Sequence, residues 1–96
     1  MNGWTVKLSP AARRQYRQLE DGPKSAAKEL LEDLEAEGPA HIQAIELRAN
    51  PDTWRARFHH ERNRMIYQVS PTRRLILVTR IKPRSSAYEG MRGNPG

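Results

Sequence analysis

The residues of this chain best suited to do chemistry fall in three groups: Arg55, Arg57 and His59, then Arg64, then Lys82 and Arg84 with Tyr88 just beyond. Arginine dominates them. Its guanidinium is a planar fork of donors that grips phosphate through paired hydrogen bonds and stacks on bases, which a lysine ammonium cannot do. A set of this kind points to contact with nucleic acid. Other chemistries find little support. There is no phosphate loop, no dinucleotide fingerprint and no Gly-x-Ser-x-Gly elbow. The histidines include the adjacent pair His59-His60, whose side chains on a strand would point to opposite faces, and they lack metal-ligand spacing. With no cysteine, disulfides and thiolate metal sites are excluded, and neither a metal nor another cofactor is expected.

The formal net charge of +6 is unevenly spread. Residues 1–48 hold seven Lys/Arg against eight Asp/Glu, whereas 49–96 hold ten against three, and nine of those ten are arginine. The electrostatic footprint of an anionic partner therefore lies in the second half. At 96 residues the chain is one domain's worth, and at 36% hydrophobic content its core is thin. The longest aliphatic run, Leu75 to Val78, is far below the ~20 residues of a membrane span. Met1 to Lys7 contains no apolar signal core. A cytoplasmic protein with no membrane partner is expected.

These residues need elements to position them. Trp4, Val6 and Leu8 alternate with Thr5 and Lys7 as a short strand. Ser9-Pro10 reads as a helix start, and Ala12, Tyr16 and Leu19 form its inner side. Asp21-Gly22-Pro23 ends that helix and opens another, striped by Ala27, Leu30, Leu31 and Leu34 and stopped by Gly38-Pro39. From Trp54 the period becomes two, placing Arg55, Arg57 and His59 on one strand face. His60 to Asn63 reads as a hairpin turn. Arg64 to Val69 is a strand with Met65, Tyr67 and Val69 on one side, Tyr67 and Trp54 belonging to the core. Ser70-Pro71-Thr72 turns the chain, and Leu75 to Ile81, apolar on both faces, reads as a central strand. The order is β-α-α-β-β-β: an α+β domain over 1–89, its small, mainly antiparallel sheet covered on one face by a helical hairpin, with 90–96 as a flexible C-terminal tail.

In this order and spacing the segments Leu47-Arg48, Pro51 to Arg57 and Asn63 to Val69, followed by a strand leading to Arg84 and Tyr88, resemble the RelE/ParE superfamily of bacterial toxins. The resemblance covers nearly the whole chain, and its most specific piece is Arg64 with Ile66-Tyr67-Gln68-Val69. It implies the toxin of a toxin–antitoxin pair, with a cognate antitoxin as partner in a complex that binds operator DNA. In the RelE-like branch such a toxin enters the ribosome and cleaves mRNA without metal, by attack of a 2′-hydroxyl on the adjacent phosphorus. Carried over by position, Arg64 would hold the scissile phosphate, Arg84 would neutralise or protonate the leaving side, and Tyr88 would stack on a base or act in proton transfer. Arg55, Arg57, Arg80 and Lys82 would bind RNA.

This sequence departs from the family pattern where RelE-like members often present lysines, at Arg55 and Arg57. Arginine stabilises charge but is a poor general base. His59, on the same alternating face and with an ordinary pKa of ~6.5, is the better base on intrinsic grounds. Blander readings stand beside these: Arg55 and Arg57 as the wet face of an edge strand, Arg64 as a surface ion pair with Glu61 or Asp52, and His59 as a solvated hairpin residue. ParE-like members share the fold yet inhibit DNA gyrase without nuclease activity, and a non-catalytic RNA- or protein-binding relative is a further alternative.

Overall fold

The computed structural model describes residues 3–41 and 43–91; of the tail expected over 90–96, residues 92–96 lie outside them. Strand β1 (Thr5–Leu8) leads into helix α1 (Pro10–Arg17). Pro10 occupies the first helical position, and the Ser9 hydroxyl accepts the Ala12 N–H at 3.1 Å, which satisfies one of the donors that a helix start leaves unpaired. Helix α2 (Asp21–Glu37) follows after three residues.

Gly38 ends α2 at φ 94° and ψ −174°, a region essentially reserved for glycine. A Cβ on Gly38 would stand 2.7 Å from Nε1 of Trp4, whose ring also lies 4.8 Å beneath the Arg74 guanidinium. Both backbone and space therefore require glycine. Gly38→Ala is expected to lower unfolding stability by roughly 2–4 kcal/mol, read as a drop in urea midpoint. An unchanged midpoint would refute this account of the junction.

Four more strands complete the sheet: β2 (Ala44–Glu46), β3 (Thr53–Phe58), β4 (Asn63–Ser70) and, after a 3-10 turn at Pro71–Arg73, β5 (Leu75–Pro83). Their spatial order is β1-β5-β4-β3-β2. Among the described residues only the β1–β5 pair is parallel, so the sheet is mainly antiparallel with β5 inside it, as its two-sided apolar run predicts. Strand β2 is an addition to the expected order, being too short at three residues to display an alternation.

The helices cover one face. Ala12, Ala27, Leu30 and Leu34 close a core with Ala56 and Phe58 of β3, Met65, Tyr67 and Val69 of β4, and Ile76, Val78 and Ile81 of β5. Tyr67 is fully buried and donates its hydroxyl to the Pro39 carbonyl at 2.7 Å. Burial also pushes its phenol well above the usual tyrosine range, so it is a core residue.

One irregularity decides what the opposite face presents. Ile66 pairs with Arg80 but Tyr67 pairs with Val78, leaving Thr79 as an extra residue in β5. Its hydroxyl donates to the Ile66 carbonyl at 3.3 Å. In an unbroken strand Ile76, Val78, Arg80 and Lys82 would share one face. The bulge shifts the phase, so Ile81 joins Ile76 and Val78 in the core while Arg80 and Lys82 turn to the face away from the helices. Beyond the end of β1, the Ile81 N–H is taken up by Oε1 of Gln15 at 2.8 Å.

Candidate functional site

The face away from the helices carries cations in register. Arg57 of β3 pairs with Arg64 of β4, which pairs with Lys82 of β5, so three positive side chains stand in one row across three adjacent strands. Like charges directly opposite one another destabilise a sheet. A second row runs Arg55, Ile66, Arg80.

Arg64 is 2% exposed, and one guanidinium nitrogen donates to the carbonyls of Glu61 at 2.7 Å and Asn63 at 3.2 Å. Its position is thereby fixed before any ligand arrives. Arg57 donates to the Glu61 carboxylate at 3.2 Å, and Lys82 lies 3.8 Å from that of Glu89. Arg55, 5% exposed, donates to the Gln43 carbonyl at 3.2 Å, and its Nε is buried with no hydrogen-bond partner among the described residues. Burial first, then the Arg57 and Arg64 charges, hold the Arg55 pKa below the usual arginine range, while the adjacent Tyr88 hydroxyl acts in the opposite sense. The buried positive charge is thus only partly compensated.

Beside these rows opens a cleft of about 1110 Å³ lined by Arg57, His60, Glu61, Arg62, Arg64, Pro83, Arg84, Ser85, Tyr88 and Glu89. Arg84 is exposed, and its backbone N–H donates to the Arg62 carbonyl at 2.9 Å, which holds the end of β5 against the β3–β4 turn. Of the residues singled out in the sequence, the structure brings Arg57, Arg64, Arg84 and Tyr88 together. Arg55, Arg80 and Lys82 share the sheet face but do not line the cleft. Arg80 is committed elsewhere, donating to the carbonyls of Ala87 at 3.0 Å and Glu89 at 2.5 Å.

The placement of His59 on the arginine face is corrected. Strand β3 ends at Phe58, and His59, His60 and Glu61 take φ of 53°, 60° and 61°. Three consecutive left-handed residues break the alternation that the strand period extends to residue 59. The His59 ring instead lies beside Gly22 at the start of α2, where an added Cβ would meet its Cε1 at 3.0 Å. Its neighbour His60 lines the cleft. His60, Glu61, Arg62 and Glu89 therefore line the cleft without having been singled out for the site from sequence. The first three read as a polar turn, with His60 a weaker base candidate than His59 and Glu61 an ion-pair partner for Arg64, and a left-handed run without glycine leaves no pattern to detect.

Tyr88 lines the cleft, and its hydroxyl is buried with no hydrogen-bond partner among the described residues, beside Arg55. A hydroxyl so placed is turned away from a bound ligand. Tyr88→Phe is expected to keep RNA affinity and any cleavage within about threefold, whereas Tyr88→Ala loses roughly tenfold or more, one stacked base being worth ~1–3 kcal/mol. Equal losses in both variants would assign the function to the hydroxyl.

Among the described residues no helix is long and apolar enough to cross a membrane, and no group of His, Cys, Asp and Glu could hold a metal ion.

No protein-family model matches the chain, and no curated protein is significantly similar to it. Its backbone has clear counterparts among solved structures. The archaeal RelE–RelB complex from Pyrococcus horikoshii contains a chain 25% identical, matched over 88% of this chain and 99% of that one with a TM-score of 0.73. The RelBE2 toxin–antitoxin complex from Mycobacterium tuberculosis gives 23% identity over 84% and 98%, with a TM-score of 0.70. The isolated RelE toxin of E. coli gives 22% over 83% of each chain, with a TM-score of 0.68. With two helices, a five-stranded mixed sheet and these neighbours, the chain has the fold of the RelE/ParE-type toxins of toxin–antitoxin systems.

Proposed function

We propose that the chain is the toxin of a toxin–antitoxin pair and a metal-independent endoribonuclease that cuts mRNA on the ribosome, in the cytoplasm. The observation that carries this reading is the in-register row Arg57, Arg64 and Lys82, two of whose members, Arg57 and Arg64, line a cleft together with Arg84 and Tyr88. A sheet that accepts like charges side by side gives up stability, and an anionic ligand is what recovers it. Cutting by 2′-hydroxyl attack needs fixed positive charge at the phosphorane and an acceptor for one proton. Arg64 supplies the charge on the cleft floor, and Arg84, always protonated, neutralises the leaving side without donating a proton. His60 replaces His59 as the acceptor, since it is the imidazole that lines the cleft. The 2′-oxygen bonds to phosphorus as its proton passes to His60, the bond to the 5′-oxygen breaks, that oxygen takes a proton from water, and the hydroxide so formed recovers the proton held by His60. The products are a 2′,3′-cyclic phosphate and a 5′-hydroxyl. The Tyr88 ring stacks on a base.

The partner that silences this face is an antitoxin with an acidic segment, in keeping with neighbours solved as toxin–antitoxin complexes. Primer extension on mRNA from cells expressing the chain without antitoxin tests the reading. Cuts within translated codons support it. Intact mRNA together with inhibited gyrase supercoiling replaces it with the gyrase reading, and intact mRNA with normal growth replaces it with a non-catalytic binding module.

A further inference from the structure

Arg80 stands among the cations of the open face, yet its guanidinium is already committed. One nitrogen donates to the carbonyls of Ala87 and Glu89, the residues immediately before and after Tyr88. Its strand partner Ile66 and the clasped Ala87 are 1% and 0% exposed, and neither belongs to the helix-side core. The segment after β5 is therefore seated on the sheet around Arg80. Among the described residues that segment has no helix or strand of its own after Pro83, only turns closed by bonds such as Ser86 N–H to the Pro83 carbonyl at 3.1 Å. Short turns of this kind are weakly held by their own backbone. Arg55 is a second cation beside this segment, its guanidinium next to the buried Tyr88 hydroxyl.

We infer that Arg80 is a positioning residue for Tyr88, a clasp that holds the peptide on both sides of the aromatic ring so that the ring forms a fixed wall of the cleft. The bulge at Thr79 is what allows it. Without that extra residue Arg80 would turn toward the helices, and the clasp would be absent. The role differs from the RNA contact expected for Arg80 from sequence, because charge-assisted bonds to carbonyls occupy the nitrogen nearest the segment. It rests on the proposed nuclease reading only where cleavage is the readout.

Two measurements on the full chain test the clasp. In the first, hydrogen exchange by NMR follows the amides of residues 85–89 and the Tyr88 ring signals in wild type, Arg80→Ala and Arg80→Lys. Arg80→Ala should speed exchange in this segment at least tenfold and shift the Tyr88 ring signals, with the β3 and β4 amides unchanged. Arg80→Lys, whose ammonium can still reach a carbonyl, should recover part of the protection. In the second, single-turnover cleavage of ribosome-bound mRNA is compared for Arg80→Ala, Tyr88→Ala and the double variant. Residues acting as one unit are non-additive, so the double variant should be no slower than the worse single one. The salt dependence of RNA binding should keep its slope in Arg80→Ala, whereas loss of a direct phosphate contact reduces it by about one. Multiplying rate losses with a reduced slope would overturn the inference in favour of direct RNA contact. Unchanged exchange at 85–89 would overturn it outright. If the wild type cuts no mRNA, the nuclease reading fails while the exchange result still decides the clasp.

Discussion

Arg84→Ala is expected to slow mRNA cleavage by about 10²–10³-fold while leaving the urea midpoint where it is, the loss being typical for one donor aimed at developing negative charge. Arg84 is, like Arg62, an exposed cation of the cleft, and its guanidinium makes no hydrogen bond or ion pair among the described residues. Its structural contribution is a backbone one, the N–H to the Arg62 carbonyl, which alanine keeps. Side-chain removal therefore separates chemistry from folding at this position. Single-turnover cleavage and urea unfolding on the same preparation make the check. A variant that cleaves within twofold of wild type removes Arg84 from the site, and one that loses stability as well shows that the side chain holds the turn. Arg84→Lys should retain an intermediate rate, since a point charge neutralises a leaving group without the paired hydrogen bonds of the fork.

What the sequence made legible depended on how far a simple period ran. Ser9-Pro10 opens α1, Asp21-Gly22-Pro23 opens α2 and Gly38-Pro39 stops it because caps and breakers act locally, whereas α1 ends at Arg17, short of the Asp21-Gly22-Pro23 expected to close it, and leaves Leu19 outside the helix. The alternation from Trp54 to Phe58 and from Met65 to Val69 held because β3 and β4 are regular there. The period failed in two places, and both shape the site. At His59 it was carried one residue past the strand, into a left-handed turn that sends His59 to the helices and His60 to the cleft. At Thr79 a bulge reversed the phase of β5, so a run that looks apolar on both faces supplies core residues on one side and Arg80 and Lys82 on the other. Residue types showed that cations were in excess; only the register showed Arg57, Arg64 and Lys82 in a single row. Bulges and left-handed turns are conformations that tertiary contacts select, which is why no window of residues announces them.

Arg64→Ala carries the other large effect, and here activity and stability fall together. Cleavage is expected to drop by about 10³-fold, since the side chain supplies the fixed charge on the cleft floor. Stability is expected to fall by roughly 1–3 kcal/mol, because the Glu61 and Asn63 carbonyls lose a donor in a site where Arg64 itself is 2% exposed. A smaller term opposes the loss: removing the middle cation of the row relieves repulsion with Arg57 and Lys82, worth roughly 0.2–1 kcal/mol. The hydrogen bonds outweigh it, so the net sign is destabilising. Arg64→Lys separates the two contributions. It keeps the charge and the repulsion, and its ammonium can serve a backbone carbonyl, so the urea midpoint should stay close to wild type. It lacks the planar fork, so cleavage should still fall by about 10²-fold. A lysine variant that cleaves at the wild-type rate would reduce Arg64 to a point charge. An alanine variant more stable than wild type would mean that repulsion dominates the row, and the sheet face would then be held together chiefly by its ligand.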